Sequence, residues 1–188
     1  EAIAAFEHAE SLEIGGRDMG EDRVNFAVCL LRAGRTGQAL SMIERRLRDY
    51  PSTLLHAQYA LALLIAGRLR EGWEHYEYRW IDPPLLSARP NFVRPQWDGQ
   101  NLRGRTILLW SEQGFGDFIQ FIRYAAHVKT LGATVVVLLR NELRELAEHI
   151  PAIDRVLGPA EPYPPFDYYI NLLSLPRVFG TDVESIPA

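Results

Sequence analysis

Six consecutive residues, Glu112-Gln113-Gly114-Phe115-Gly116-Asp117, set two carboxylates and an amide beside two glycines. The apolar run before them, Thr106 to Ser111, reads as a buried strand, and a helix is expected to begin near Asp117. In open α/β sheets ligands collect beyond the carboxyl ends of the strands, which is where this turn would sit. The chemistry open to it is proton transfer, with Asp117 as a general base that takes a proton from a hydroxyl. A carboxylate at a helix start is favoured in its charged form, so strength as a base there requires a desolvating cleft. The plainer reading makes Asp117 an N-cap for the helix's free N–H groups and gives Gly114 and Gly116 only a tight turn to form.

A glycine pair between a strand and a helix also suggests a dinucleotide fingerprint. Two positions speak against it: Ile119 stands where the third glycine belongs, and Arg140 closes the second strand where a ribose-binding acid is expected. Asp117 would moreover repel a phosphate from the helix start that usually attracts one.

The elements needed to position this turn come in alternation. Helix 1 is expected from Asp117 to about Leu131, where Gly132 stops it, and Ala133 to Leu139 (ATVVVLL) has the apolar, β-branched character of a strand buried on both faces. A helix from Asn141 to His149, a short strand at Arg155 to Leu157, a loop with Pro159, Pro162, Pro164 and Pro165, and a strand near Tyr168 to Leu172 complete the pattern. Strands separated by helices imply crossover connections and a parallel sheet.

Upstream, residues 27–47 and 60–80 align at an offset of 33: Ala27 with Ala60, Leu30-Leu31 with Leu63-Leu64, Ala33-Gly34-Arg35 with Ala66-Gly67-Arg68, Glu44 with Glu77 and Arg46 with Arg79. Helix, glycine turn, helix at a period of about 34 residues is the pattern of tetratricopeptide repeats. Small residues at Ala27 and Ala39, and at Ala60 and Gly72, let paired helices approach, while Pro51 and Pro84 close the two copies. Glu1 to Leu12 resembles the second helix of a further copy, so the chain is expected to open inside a repeat array. Such arrays bind a protein or glycan partner in their groove, where Arg45, Arg46, Arg68 and Arg70 are candidate cations if they are not simply a solvated face. Trp73, Tyr76 and Trp80 form one helical stripe of a kind that can bind sugar rings or aromatic ligands, but it is expected to be buried against the next module. His8, His56 and His75 lack the close spacing of metal ligands and read as structural or exposed, so no metal is expected. The chain therefore divides into repeats (1–80), a Pro-rich connector (81–104) and an α/β part (105–188), with Trp97 anchoring the connector to the α/β part.

Composition excludes other classes. Twenty Lys/Arg against 24 Asp/Glu give a net charge of −4, spread evenly along the chain with no basic stripe, so nucleic acid is not an expected partner. No apolar run reaches the roughly 20 residues of a membrane-spanning helix. The single Cys29 allows no internal disulfide, fits a cytoplasmic location and reads as a small packing residue.

The turn together with Gln120-Phe121-Ile122-Arg123-Tyr124 resembles the EQGxGDxxQFxRY signature of bacterial tetratricopeptide proteins fused to a heptosyltransferase-like glycosyltransferase domain. Glu71-Gly72-Trp73, Tyr76-Glu77, Arg79-Trp80, Pro95-Gln96-Trp97-Asp98-Gly99, Phe166-Asp167 and Leu172-Leu173-Ser174-Leu175-Pro176 extend the resemblance over nearly the whole chain. It implies helical repeats followed by a Rossmann-like parallel-sheet domain, the N-terminal half of a GT-B fold, with the active site in a cleft between two such halves. It also implies Asp117 as the catalytic base, with Glu112, Gln113, Gly114, Gly116 and Tyr124 around the acceptor. The nucleotide-sugar donor would be held mainly by a C-terminal half, so no cofactor is expected in these residues and they are expected to be inactive alone. Phe118 departs from the smaller residue usual after Gly-Asp, which bears on substrate access. The competing expectation is a protein-interaction module whose α/β part is structural.

Overall fold

The computed structural model of the chain describes residues 4, 8, 20–49, 52–81, 86, 89–112 and 114–187, with residues 20–24 as backbone only. Apart from Ala4 and His8, the helix expected at Glu1 to Leu12 lies outside these residues, as do Pro51 and Pro84. The chain forms two compact units, Glu1–Pro83 and Pro84–Ala188.

The first unit contains α1 (Gly20–Arg32), α2 (Thr36–Asp49), α3 (Thr53–Ile65) and α4 (Leu69–Tyr76), then a 3-10 turn over Glu77–Ile81. The 33-residue offset of the sequence reappears in the backbone. Gly34 (φ 72°) and Gly67 (φ 78°) each end a helix in the left-handed region, and the amide that comes next reaches back five residues, Arg35 to the Leu30 carbonyl (2.9 Å) and Arg68 to that of Leu63 (3.0 Å). This pairing satisfies carbonyls that a helix end otherwise leaves bare, and glycine alone enters it without strain. Each helix packs on the next, and α1 also packs on α3. Ala27, Ala39 and Ala60 are fully buried at these crossings. At Gly72 a Cβ would stand 2.7 Å from Leu64 Cδ2 and 3.1 Å from the Leu64 amide, so the second copy needs glycine where the first has Ala39. Ile43, Tyr59, Ala62 and Leu63 fill the space between, and Cys29 on α1 is half-buried.

Arg68 is tied down and does not serve as a free surface cation. It donates to Glu44 on α2 (3.1 Å) and to Glu71 on α4 (2.6 Å), while the Tyr59 hydroxyl donates to Glu44 (2.8 Å). The tyrosine hydroxyl and then Arg68 hold the Glu44 carboxyl below its ordinary range against a partial burial that works the other way. The aromatic stripe turns on Arg79, which is buried and lies 4.6 Å from the Tyr76 ring centre and 4.4 Å from that of Trp80. Its guanidinium donates to Glu77 at 2.9 Å, the pairing a buried cation requires.

The second unit is built on β1 (Thr106–Trp110), β2 (Thr134–Leu138), β3 (Arg155–Leu157) and β4 (Tyr168–Asn171). They form one parallel sheet in the order β3-β2-β1-β4, with Leu108 opposite Val136 on one side and Tyr169 on the other. That is the order of the first four strands of a doubly wound sheet. The strands agree with the apolar runs to within a residue or two, because a strand buried on both faces must be apolar throughout. The single helix expected over 117–131 is two, α5 (Phe115–Phe121) and α6 (Tyr124–Thr130). At the break the Arg123 side chain takes the Gln120 carbonyl (2.7 Å) and that of Pro187 (3.0 Å), which offsets a lost helical bond. The helix expected over 141–149 is a 3-10 turn, Asn141–Leu143, leading into α7 (Arg144–Glu148), and after β4 a 3-10 turn at Leu172–Ser174 leads into α8 (Leu175–Val178).

Two aspartates clip the amino end of the sheet in the same way. The Asp167 amide donates to the Thr106 carbonyl (2.8 Å) while its carboxylate accepts from the Thr106 amide (2.9 Å). Asp154 does the same with Val135, at 2.9 and 2.7 Å, and also holds Lys129 (2.6 Å). The Thr106 amide, ahead of Arg105, holds the Asp167 carboxyl below its ordinary range. The end of the Pro-rich segment joins the sheet as well: Gln96 bridges Tyr169 in parallel, and Trp97 is buried with its indole N–H donating to the Gln100 carbonyl (2.8 Å). Proline suits this place because the outer side of an edge asks for no amide donor.

Candidate functional site

The order β3-β2-β1-β4 reverses direction between β1 and β4, and crevices open at the carboxyl ends of strands where a doubly wound sheet does this. The residues that leave β1 there are Ser111 and Glu112, both half-buried, and the Ser111 amide still bonds the Leu138 carbonyl at the end of β2 (3.1 Å). Gln113 lies outside the described residues.

Gly114, not Asp117, is the N-cap of α5, with φ −86° and ψ 138°. Asp117 is therefore the third helical residue. It is half-buried, and its carboxylate folds back so far that a Cβ on Gly114 would meet Oδ2 at 2.7 Å. Neither Gly114 nor Gly116 has a positive φ, so a tight turn does not account for them. Gly114 makes room for the carboxylate. Gly116 is exposed, and a Cβ there would meet nothing within 4 Å. A glycine inside a helix is destabilising by roughly 0.5–1 kcal/mol relative to alanine, and among the described residues no neighbour explains this one. The space above it is open for a ligand to come against the backbone.

Around this bare patch Phe115 and Ile119, one turn apart, are both exposed, and the Arg140 guanidinium lies 5.0 Å from the Phe115 ring centre. Arg140, the residue that spoke against a ribose site, thus stands beside the turn.

Tyr124 is not brought to the turn. It is 3% exposed, its hydroxyl donates to Thr181 Oγ1 (2.9 Å), and its ring packs near Phe121 and Phe179. Burial pushes its phenol above the ordinary value. Phe118 is fully buried and leaves access to the turn unaffected. Among the described residues no group of three His, Cys, Asp or Glu side chains could hold a metal ion, and no helix is long and apolar enough to cross a membrane.

Asn171 carries a role that its sequence context did not signal. It ends β4 opposite Trp110, is 2% exposed, donates to the Trp110 carbonyl (3.3 Å) and accepts from the Leu173 amide (2.7 Å). It therefore fastens together the two strand ends between which the crevice opens. Replacing it with leucine strands buried partners on both sides, and we expect a loss of about 1–3 kcal/mol, read as a lower urea midpoint with an unchanged m-value.

Over 118 residues the chain is 39% identical to the protein FlbA of Caulobacter vibrioides. The match takes in 60% of this chain and 19% of that protein, so the chain spans less than a fifth of the relative's length. No protein-family model and no solved structure matches the chain.

Proposed function

We propose that the second unit is the acceptor-side, Rossmann-like half of a GT-B glycosyltransferase fold, joined to tetratricopeptide repeats in the first unit. The observation that carries this reading is the Asp117 carboxylate at the carboxyl end of β1, folded over Gly114 beside the uncovered Gly116. The doubly wound strand order, the paired helix caps at Gly34 and Gly67 and the signature from Glu112 to Tyr124 support it.

In this reading an acceptor hydroxyl lies over Gly116 and attacks the anomeric carbon of a nucleotide sugar. The new glycosidic C–O bond forms as the bond to the nucleotide diphosphate breaks, and the hydroxyl proton passes to Asp117. Glu112, with Gln113, orients the acceptor. Tyr124 acts only through the core that carries α5 and α6. These residues form one wall of the cleft, so turnover requires a protein that also supplies the donor-binding half. A nucleotide-sugar donor places the reaction in the cytoplasm.

The test is transfer from a panel of nucleotide sugars by the full-length parent protein, with release of nucleotide diphosphate as the readout. Absence of both transfer and nucleotide-sugar binding removes the enzyme reading. Gly116→Ala sharpens it: we expect a thermal midpoint equal to or above wild type, since alanine favours the helix, together with a raised KM for the acceptor. An unchanged KM places the acceptor elsewhere.

One observation favours an interaction module as the second reading. Leu54, Leu61 and Ile65 are exposed on α3 at a spacing that keeps them on one face. A partner captured by the first unit and released by Leu61→Asp, with no nucleotide-sugar binding by the parent, would favour it over the enzyme.

A further inference from the structure

His56 on α3 and His75 on α4 are 19 residues apart in the chain, yet their Nδ1 atoms meet at 2.9 Å and their near-parallel rings lie side by side, with centroids 4.9 Å apart and planes at 10°. Tyr78 from the 3-10 turn stacks on His56 at 4.3 Å, and Tyr59 meets His75 edge-on at 4.9 Å. The pair is thus half-covered by rings from both sides.

A nitrogen–nitrogen hydrogen bond of this length holds one proton: one Nδ1 donates and the other accepts. A first added proton can enter at Nε2 of the donating ring and leave the bond in place, as an imidazolium donating to an imidazole. A second proton has no such position. It must enter on the accepting Nδ1, where it turns both nitrogens into donors and sets two cations edge to edge. We propose that His56 and His75 form a proton-operated latch between α3 and α4, closed with up to one added proton and opened by the second.

The surrounding groups set its range. Glu71 and Glu74 on α4 pull the His75 proton on, but burial and then the charge of His56 outweigh them and hold His75 below the ordinary histidine value. Glu44 on α2 is engaged by Tyr59 and Arg68, Arg68 also binds Glu71, and on the 3-10 turn that packs against α3 Glu77 is paired with Arg79. A folded-state value below the unfolded one means that the unfolded chain binds more protons in this window. The latch therefore stabilises the hairpin fully above the ordinary histidine value, and that contribution is lost as pH falls through the lower, folded value.

The experiment is an NMR titration of the histidine rings of the whole chain, with amide exchange measured over residues 69–81 at each pH. Wild type should show two coupled steps, and crossing the second should speed exchange in that stretch about tenfold relative to α1, corresponding to about 1.4 kcal/mol of local stability. In His56→Phe, which keeps a ring against Tyr78, His75 should titrate in one step at higher pH and the acid-linked increase should shrink to the part that burial of His75 alone produces. Independent titration of the two rings in wild type, or exchange that ignores the second step, overturns the latch. The wild-type measurement decides the matter even where the variant fails to fold.

Discussion

On the proposed glycosyltransferase reading, Asp117→Asn in the full-length parent should lower sugar transfer by roughly 10²- to 10⁴-fold, the range a positioned general base contributes, and should leave the fold intact. The amide has nearly the shape of the carboxylate and still fits over Gly114, where a Cβ would come within 2.7 Å of the carboxylate oxygen. It cannot take up the acceptor proton. The stability cost is that of removing one negative charge from the first turn of α5, about 0.3–1 kcal/mol, too small to unfold the unit. Initial rates at saturating donor, with a thermal unfolding curve of the same sample, separate the two quantities. Because the base acts in the transition state, the loss should fall on kcat and leave the acceptor KM near its wild-type value. Wild-type turnover in a folded Asp117→Asn protein would take Asp117 out of the chemistry. Gly114→Ala should give a weaker version of the same defect, since its methyl pushes the carboxylate aside without removing it.

What could be read ahead of the structure was what depends on neighbours in sequence. The glycine caps at Gly34 and Gly67 come from a left-handed residue that only glycine enters cheaply, and β1 and β2 come from apolar runs with no alternation. Tyr124 illustrates the limit. In an unbroken helix from Asp117 its direction would be set by the helical period, but the break at Ile122 and Arg123 resets the phase and turns the ring to Thr181. Asn171, Asp154 and Asp167 act on strands 61, 19 and 61 residues away, and a buried amide or an edge carboxylate leaves no periodic trace. The His56–His75 contact was hidden for the same reason. Its two residues sit on different helices, and only the packing of α3 on α4 joins them. At the turn itself, strand, glycines and acid were all visible. The assignment of Gly114 to the N-cap was not, because Asp117 is the better capping residue by type and loses the position to the fold.

Phe118→Ala should be among the most damaging single changes in the second unit. Its side chain is 0% exposed, so truncation removes a full aromatic ring from water-free packing and leaves a cavity, at a cost of about 3–5 kcal/mol. Against the 5–15 kcal/mol typical of a domain, that lowers the unfolding midpoint by on the order of 15–30 °C for a unit of this size. Thermal denaturation followed by near-ultraviolet circular dichroism measures it directly. Phe118→Leu keeps most of the volume and should cost roughly 1–2 kcal/mol. The comparison with Asp117 is informative because the two residues are adjacent: one should lose rate without stability, and the other stability before rate. They point different ways from the first turns of α5, Asp117 back over Gly114 and Phe118 into the core. If Phe118 instead lined the entrance to the turn, as its departure from the family signature allowed, alanine would change the acceptor KM and spare the midpoint. A stable Phe118→Ala protein with altered KM would therefore contradict the burial of this ring, and with it the orientation of α5 that sets Asp117 and Gly116 at the end of β1.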